Sequence, residues 1–362
     1  MIDLLEATRI AFRQQAQLPD AEVAEPLADT ICAHLLPLVR QHRLLGLWSA
    51  ALVPAWRTAM HGQLVHMARC ADEALRVMDV LTALDQEAFL LKGPVLAVQA
   101  WEQPALRQYD DLDVRCRRLP YPALAQAMAT CGYAPEHADA RRMAALWHFG
   151  WGIGFVKAPG LIVECNWRWF PPHYPRLERC LPAEAAATLV TLDGMPVRGA
   201  RPVAHLLHSS MHLVWHNWSR LAWLVDIAGL LVREPAVLGA ARAFAGKQGF
   251  VRQALELCCA LADAVLGPLP GHFQDVSVMR MTGIRQALLG GTQADGRVAE
   301  RTEHVRNMLW HEQWAYRLRH AATPGDPDFV RWTLPPGANG VYWGLRPLRI
   351  LGKKLKTENL KS

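Results

Sequence analysis

At 362 residues, 51% of them hydrophobic and 20% charged, the chain is long enough for two or three domains and too apolar to be disordered. The net charge of +6 is concentrated at one end: residues 341–362 carry six basic residues and one acid, which leaves the rest close to neutral at +1. No apolar stretch reaches the length of a membrane span, since even LAWLVDIAGLLV holds Asp226, and the N-terminus has no apolar run with a small-residue cleavage site. The eight cysteines show no C-x-x-C spacing; scattered in this way they read as reduced thiols of a soluble, cytoplasmic protein.

In chain order, residues 1–85 read as helical, because HLLPLVRQHRLLGLWSAAL and HGQLVHMARCADEALRVMDVLTALD place apolar residues three and four apart. The texture then changes. AFLL (88–91) is a short apolar run ending in Lys92-Gly93-Pro94, followed by a helical stretch and then DLDV (111–114), an order of strand, glycine turn, helix, strand. GFVK and LIVECNW, separated by a turn with Pro159-Gly160, read as a β-hairpin. Helical periodicity returns at 202–232 and continues through 236–265 and 297–320, and the proline- and glycine-rich stretch 323–340 reads as an irregular connection before the basic tail. The expected fold is therefore α+β: a small mixed-sheet core over 86–180, an N-terminal helical region over 1–85, a C-terminal helical bundle over 181–322, and a connection with tail over 323–362.

Chemistry centres on Asp111-Leu112-Asp113-Val114. Residues two apart in a strand point to one face, so both carboxylates project together while Leu112 and Val114 face a core. Paired carboxylate oxygens suit a hard cation such as Mg²⁺ or Mn²⁺, with substrate phosphates completing its shell. Glu164 in LIVECNW is the natural third carboxylate, on a strand beside DLDV, where it would complete a site for two-metal chemistry or act as base. On that hairpin, alternation puts Glu164, Asn166 and Arg168 on one face and Cys165, Trp167 and Trp169 on the other. Upstream, Gly93 permits close backbone approach and the helix start after it offers free N–H groups, so Lys92 and Gly93 form a candidate phosphate cradle. An ordinary strand-to-helix turn with an exposed lysine is the alternative. Asparagine at Asp111 or Asp113 is expected to leave the fold intact, since exposed carboxylates that repel one another contribute little stability.

The run FLLKGPVLAVQAWEQPALRQYDDLDV resembles the signature of an uncharacterised bacterial nucleotidyltransferase family of the DNA-polymerase-β-like superfamily, often found near peptide natural-product and polysaccharide genes. That signature is an apolar strand, Lys-Gly, a helix, and an arginine four residues before Asp-x-Asp; Arg107, Asp111 and Asp113 match it, and Asp110 stands where a small polar residue is usual. LIVECNWRW continues the similarity at Glu164 and Trp167, with Asn166 in place of a histidine, as do HLLHSSMHLVWHNWSRLAWLVDIAGLL and the closing RPLRI. The resemblance implies a two-metal enzyme that moves a nucleoside monophosphate from an NTP to an acceptor: a peptide natural product, a sugar phosphate or a protein. An RNA-modifying transferase of the toxin type would suit the basic tail. A non-catalytic homologue that binds a nucleotide or a peptide is the alternative from a different class.

Further residues have two readings each. His205, His208 and His212 share one helix face, where they either contact nucleotide or acceptor, with His208 the strongest candidate, or hydrogen-bond between helices; a zinc site lacks a clear third ligand. Asp226, in an apolar segment near Arg220, needs a buried partner. Arg107 either supports the aspartate strand or meets phosphate. Lys157 either reaches a phosphate across the hairpin or is solvated, and Trp167 and Trp169 either stack a base or fill core.

Overall fold

In the computed structural model, which describes residues 4–18, 29–172, 174, 176–216, 218–246, 249–273, 322–335 and 337–349, the helical periodicity of the first third becomes four helices. They are α1 (Leu4–Gln15), α2 (Asp29–Gln41), α3 (Leu45–Ala51) and the long α4 (Arg57–Leu84). The sheet begins with β1 (Phe89–Leu90) and continues with β2 (Asp111–Arg115), β3 (Ala134–Pro135), β4 (Gly152–Lys157) and β5 (Leu161–Asn166), closing with β6 (Ala187–Leu192) and β7 (Met195–Ala200). Strand order is β3-β4-β5-β2-β1-β7-β6, with β2–β5 and β1–β7 parallel and the other pairs antiparallel. Between the strands stand α5 (Pro94–Ala100), α6 (Tyr121–Thr130), α7 (Ala140–Phe149) and the single turn α8 (Ala183–Ala186). Helices α9 (Pro202–Trp215), α10 (Ala222–Arg233), α11 (Val237–Ala245) and α12 (Gly249–Leu266) follow the sheet. The architecture is α+β, as the order of periodicities predicts.

Strand alternation gives the sheet two unlike faces. Leu112, Val114, Val163, Cys165 and Phe155 are buried with Cys70, Ala74, Val77 and Leu81 of α4 and with Leu124 and Met128 of α6. The opposite face carries the acidic side chains. A second core joins α1 and α3 to α9–α12, with Phe12, Leu47 and Trp48 packed in one cluster with Leu207, Leu224, Leu230 and Leu255. The first and last helical regions, remote in sequence, thus close over the acidic face together.

Two features lie where the periodicity gives no strand or a plain loop. Strands β6 and β7 fall within 181–322, the stretch grouped above with the C-terminal helices. They are joined by Asp193-Gly194, both at positive φ (46° and 81°), a two-residue hairpin turn whose twist suits paired strands. Within 323–340 a short helix, α13 (Asp326–Arg331), packs Phe329 with Phe149 of α7 and with Tyr342, the first residue of a helical segment over 342–349. That segment begins the basic tail, yet Arg346 bonds Asp328 at 2.9 Å and Arg349 bonds its other oxygen. The helical period at 297–320 and the tail lysines from Lys353 onward lie outside the described residues.

Helix α10 is locked to the sheet region by a buried ion pair. Asp226 of α10, only 2% exposed, takes Arg107 Nε at 2.8 Å on one oxygen and Arg107 Nη2 at 2.9 Å on the other, and Trp101 Nε1 adds a bond at 2.7 Å. Close approach makes this possible. Gly229 of α10 lies so near α5 that a Cβ there would stand 1.9 Å from the Ala100 carbonyl oxygen. Removing one partner of a buried pair strands the other charge, so Asp226→Asn should cost roughly 3–5 kcal/mol in urea unfolding. A loss under about 1 kcal/mol, within the range of ordinary surface changes, would show that apolar packing alone holds α10.

Candidate active site

Strand register brings the predicted carboxylates together. In the parallel β2–β5 pair, Asp113 stands opposite Glu164 and Arg115 opposite Asn166, so the side chains of Asp111, Asp113 and Glu164 share the face turned away from α4. The Leu91 N–H donates to the Asp113 carbonyl at 2.8 Å, which sets the next residue beside the aspartate: Lys92 Nζ lies 2.9 Å from Asp113 Oδ2. Gly93 then turns the chain into α5 at φ 60°, ψ −128°, a conformation that favours glycine. These residues line a cavity of about 310 Å³ between the sheet and helices α9 and α10.

The electrostatics follow from burial. Asp113 is pushed above the usual carboxylate range, first by burial and then by Asp111, with Lys92 opposing. Glu164 is raised from 4.5 to about 7, again by burial first and by Asp113 second. Burial acts to lower the Lys92 pKa, but the charges of Asp113 and Asp111 outweigh it and the net direction is upward. Near neutrality the wall therefore holds a cationic lysine against a crowded acidic cluster.

The donor chemistry of this wall fits a hard divalent cation: carboxylate oxygens on adjacent strands whose mutual repulsion a cation would relieve. The placement is not yet that of a closed shell. Among the described residues no group of three or more His, Cys, Asp or Glu side chains is placed to hold a metal ion. One Asp113 oxygen is held by Lys92, and the Asn166 amide lies 3.5 Å from the other.

Arg107 lines the cavity but is committed to structure. Besides the two hydrogen bonds it donates to Asp226, its Nη1 donates to the Gly93 carbonyl at 3.3 Å, so it holds the turn that carries Lys92. Of its expected roles, support of the aspartate strand or contact with phosphate, neither describes these bonds, which join α10 to the Gly93 turn. Lys157 is a correction. It bonds both oxygens of Glu73 on α4, at 2.9 and 3.0 Å, and does not line the cavity. The reason is the pleat: Lys157 shares its face of β4 with Phe155 and pairs with Leu161, both in the core beneath α4. β5 ends at Asn166, so alternation also stops there; Trp167 stays in that core, whereas Trp169 lines the cavity.

The opposite wall comes from α9. His205 turns away, bonding Gln99 Oε1 at 2.6 Å and the Leu91 carbonyl, which is the interhelical reading. His208 and His212 line the cavity, and so does His216, one turn further on and not singled out by sequence although the four-residue spacing continues. Burial lowers all of them, His205 to about 3 and His216 to about 4, so these imidazoles are neutral at pH 7. His208 stacks on Phe170, with ring centroids 4.9 Å apart, and His212 meets Trp215 and Trp223 edge to face. Arg220 lies over Trp223 at 5.3 Å, and Arg43, from the loop after α2, pairs with Asp110. Sequence gives no signal for Arg43, Trp151 or Trp215 at this site, because only the packing of remote helices brings them to the cavity.

A carboxyl group whose pKa rises on folding contributes stability at low pH that is lost as pH climbs through the folded value. For Glu164 that loss falls between about 4.5 and about 7. Glu164→Gln, which cannot ionise, should therefore gain thermal stability relative to wild type across that interval in EDTA, and hold a constant lead above it. Parallel Tm profiles would show that Glu164 is not held in an acidic cluster.

Neither a curated protein nor a solved structure matches the chain. A family model does, over residues 28–267, a span that contains the whole sheet, the carboxylate strands and the histidine helix. The chain belongs to the family described as uncharacterised nucleotidyltransferase.

Proposed function

We propose that the chain transfers a nucleoside monophosphate from an NTP to a hydroxyl or phosphate oxygen of an acceptor, with release of pyrophosphate. The observation that carries this reading is the meeting of Asp111, Asp113 and Glu164 with the Lys92-Gly93 turn on one wall of one cavity. Asp111 and Asp113 would hold Mg²⁺ or Mn²⁺, which supplies charge neutralisation at the reacting phosphate and its leaving oxygen. Gly93 leaves room for the triphosphate, and Lys92 meets its charge. The neutral His208 faces the uncharged part of the nucleotide. Glu164, with a pKa near 7, accepts the acceptor's proton. The acceptor oxygen forms a bond to the α-phosphorus as the bond from that phosphorus to the bridging oxygen breaks, and pyrophosphate departs with the electron pair.

The acceptor is proposed to be a peptide, a sugar phosphate or a protein side chain. Incubation with each labelled NTP and Mg²⁺, with acceptors of these three kinds and with RNA, should give one acceptor heavier by a nucleoside monophosphate in mass spectrometry. Transfer to RNA alone would favour the toxin-type reading, and no transfer under any combination, with or without Mn²⁺, would overturn the proposal.

The carboxylates should separate by variant. Asp111→Asn and Asp113→Asn are each expected to abolish turnover, and Glu164→Gln to slow it by roughly 10²-fold or more, the range of general-base loss. Their stabilities should differ, which corrects the expectation that either aspartate is dispensable to the fold. Asp111 is half-buried with no ion pair among the described residues, whereas Asp113 is buried against Lys92 and its loss strands an ammonium. Near-wild-type turnover in either aspartate variant would remove the assigned site.

A further inference from the structure

The contact between Lys92 and Asp113 has the wrong partner for a site about to bind a metal nucleotide. The ammonium sits 2.9 Å from one oxygen of the carboxylate that would hold the cation, and both side chains are largely out of solvent, with exposures of 16% and 6%. Two cations on one carboxylate repel strongly where water screens them little, so the lysine and a divalent ion compete for Asp113. The backbone around Lys92 is fixed on both sides. The Leu91 N–H is tied to the Asp113 carbonyl, and the Gly93 carbonyl is held by Arg107, itself locked to Asp226. Only the side chain is free to move, and lysine has a flexible four-carbon stem with a point charge at its end.

We propose that Lys92 is a resident counter-cation: it holds Asp113 while the site is empty and gives it up when a cation arrives with a nucleotide, whose phosphates take the released ammonium. This rests on the transferase reading above. It assigns Lys92 a second role besides phosphate contact, and it makes the site discriminate. A bare divalent ion must displace the lysine with nothing to receive its charge, whereas a metal nucleotide brings both the replacement cation and the receiving anion. Carboxylates left unguarded would hold a metal before substrate arrives.

The test is binding of Mn²⁺ alone, read from the free-ion electron paramagnetic resonance signal with EDTA-stripped protein and no nucleotide. Wild type should bind weakly. Lys92→Met should bind at least about tenfold tighter, a change worth about 1.4 kcal/mol, and the double variant Lys92→Met/Asp113→Asn should lose that gain. Lys92→Arg, which keeps a cation on Asp113, should stay weak. Binding of a non-hydrolysable NTP analogue should move the other way and weaken in Lys92→Met. Circular dichroism checks folding, and if Lys92→Met does not fold, Lys92→Gln, uncharged but able to donate to Asp113, takes its place with the same expectation. Mn²⁺ affinity unchanged or lower in the uncharged variant overturns the proposal, because a lysine that only meets phosphate, or only stabilises the fold, would not hold metal off. Failure of wild type to bind the analogue with Mn²⁺ is a different result and counts against the transferase reading itself.

Discussion

The site depends on the two-pronged bond between Arg107 and Asp226. One guanidinium spans three parts of the molecule: it takes both oxygens of a carboxylate on α10 and reaches the carbonyl of Gly93 with its remaining arm. A buried pair of this kind is costly to assemble because both charges lose water, so what it adds here is geometry more than stability. Here it specifies the relation between a helix of the C-terminal bundle and the turn that carries Lys92. An apolar replacement would still pack α10 against α5, but it would leave the Gly93 carbonyl without its buried donor.

From that anchor the sheet wall and the α9 wall differ in chemistry, with Arg43 and Arg220 also lining the cavity. Its sheet wall concentrates carboxylates and one lysine, whereas its α9 wall offers imidazoles that burial keeps neutral, with tryptophans between them. A nucleoside triphosphate has the same division, a polyanionic end that needs cations and a flat uncharged end that needs stacking and hydrogen bonds. The neutral histidines add no positive charge to compete with a divalent ion for the phosphates. Glu164 belongs to the sheet wall beside Asp113, and its pKa is raised first by burial and second by the Asp113 charge, the part that a cation would relieve.

Much of this was legible because β-strands have a period of two and the chain writes it plainly. Asp111 and Asp113 on one face, with Leu112 and Val114 on the other, follow from alternation, and LIVECNW does pair beside DLDV as expected. The hairpin at Asp193-Gly194 was equally legible in its turn residues but sits in a stretch dominated by helical neighbours. Lys157 shows where attention to sign and reach is insufficient: its charge suited phosphate, yet counting along β4 puts it on the face of Phe155, toward α4. The histidines show the limit of helical spacing. His205 and His208 are three residues apart on one helix, and only neighbouring elements decide that the first is spent on Gln99 and Leu91 while the second faces the cavity.

By itself, the sequence determined the class of fold, the strand–turn–helix–strand order around Lys92-Gly93, and the shared face of the two aspartates, because all of these are set by neighbours within a few residues. It also determined that Asp226 must have a partner, since a carboxylate in an apolar helix cannot be left bare. Only the tertiary structure decided that the partner is Arg107, that Lys92 rests on Asp113, and that Arg43 and four tryptophans line the cavity. Those outcomes turn on which surfaces meet across long stretches of chain, through the close crossing at Gly229 and the joint packing of the first and last helices. No local pattern carries that information, because the energy that selects the arrangement is released only when the whole core closes.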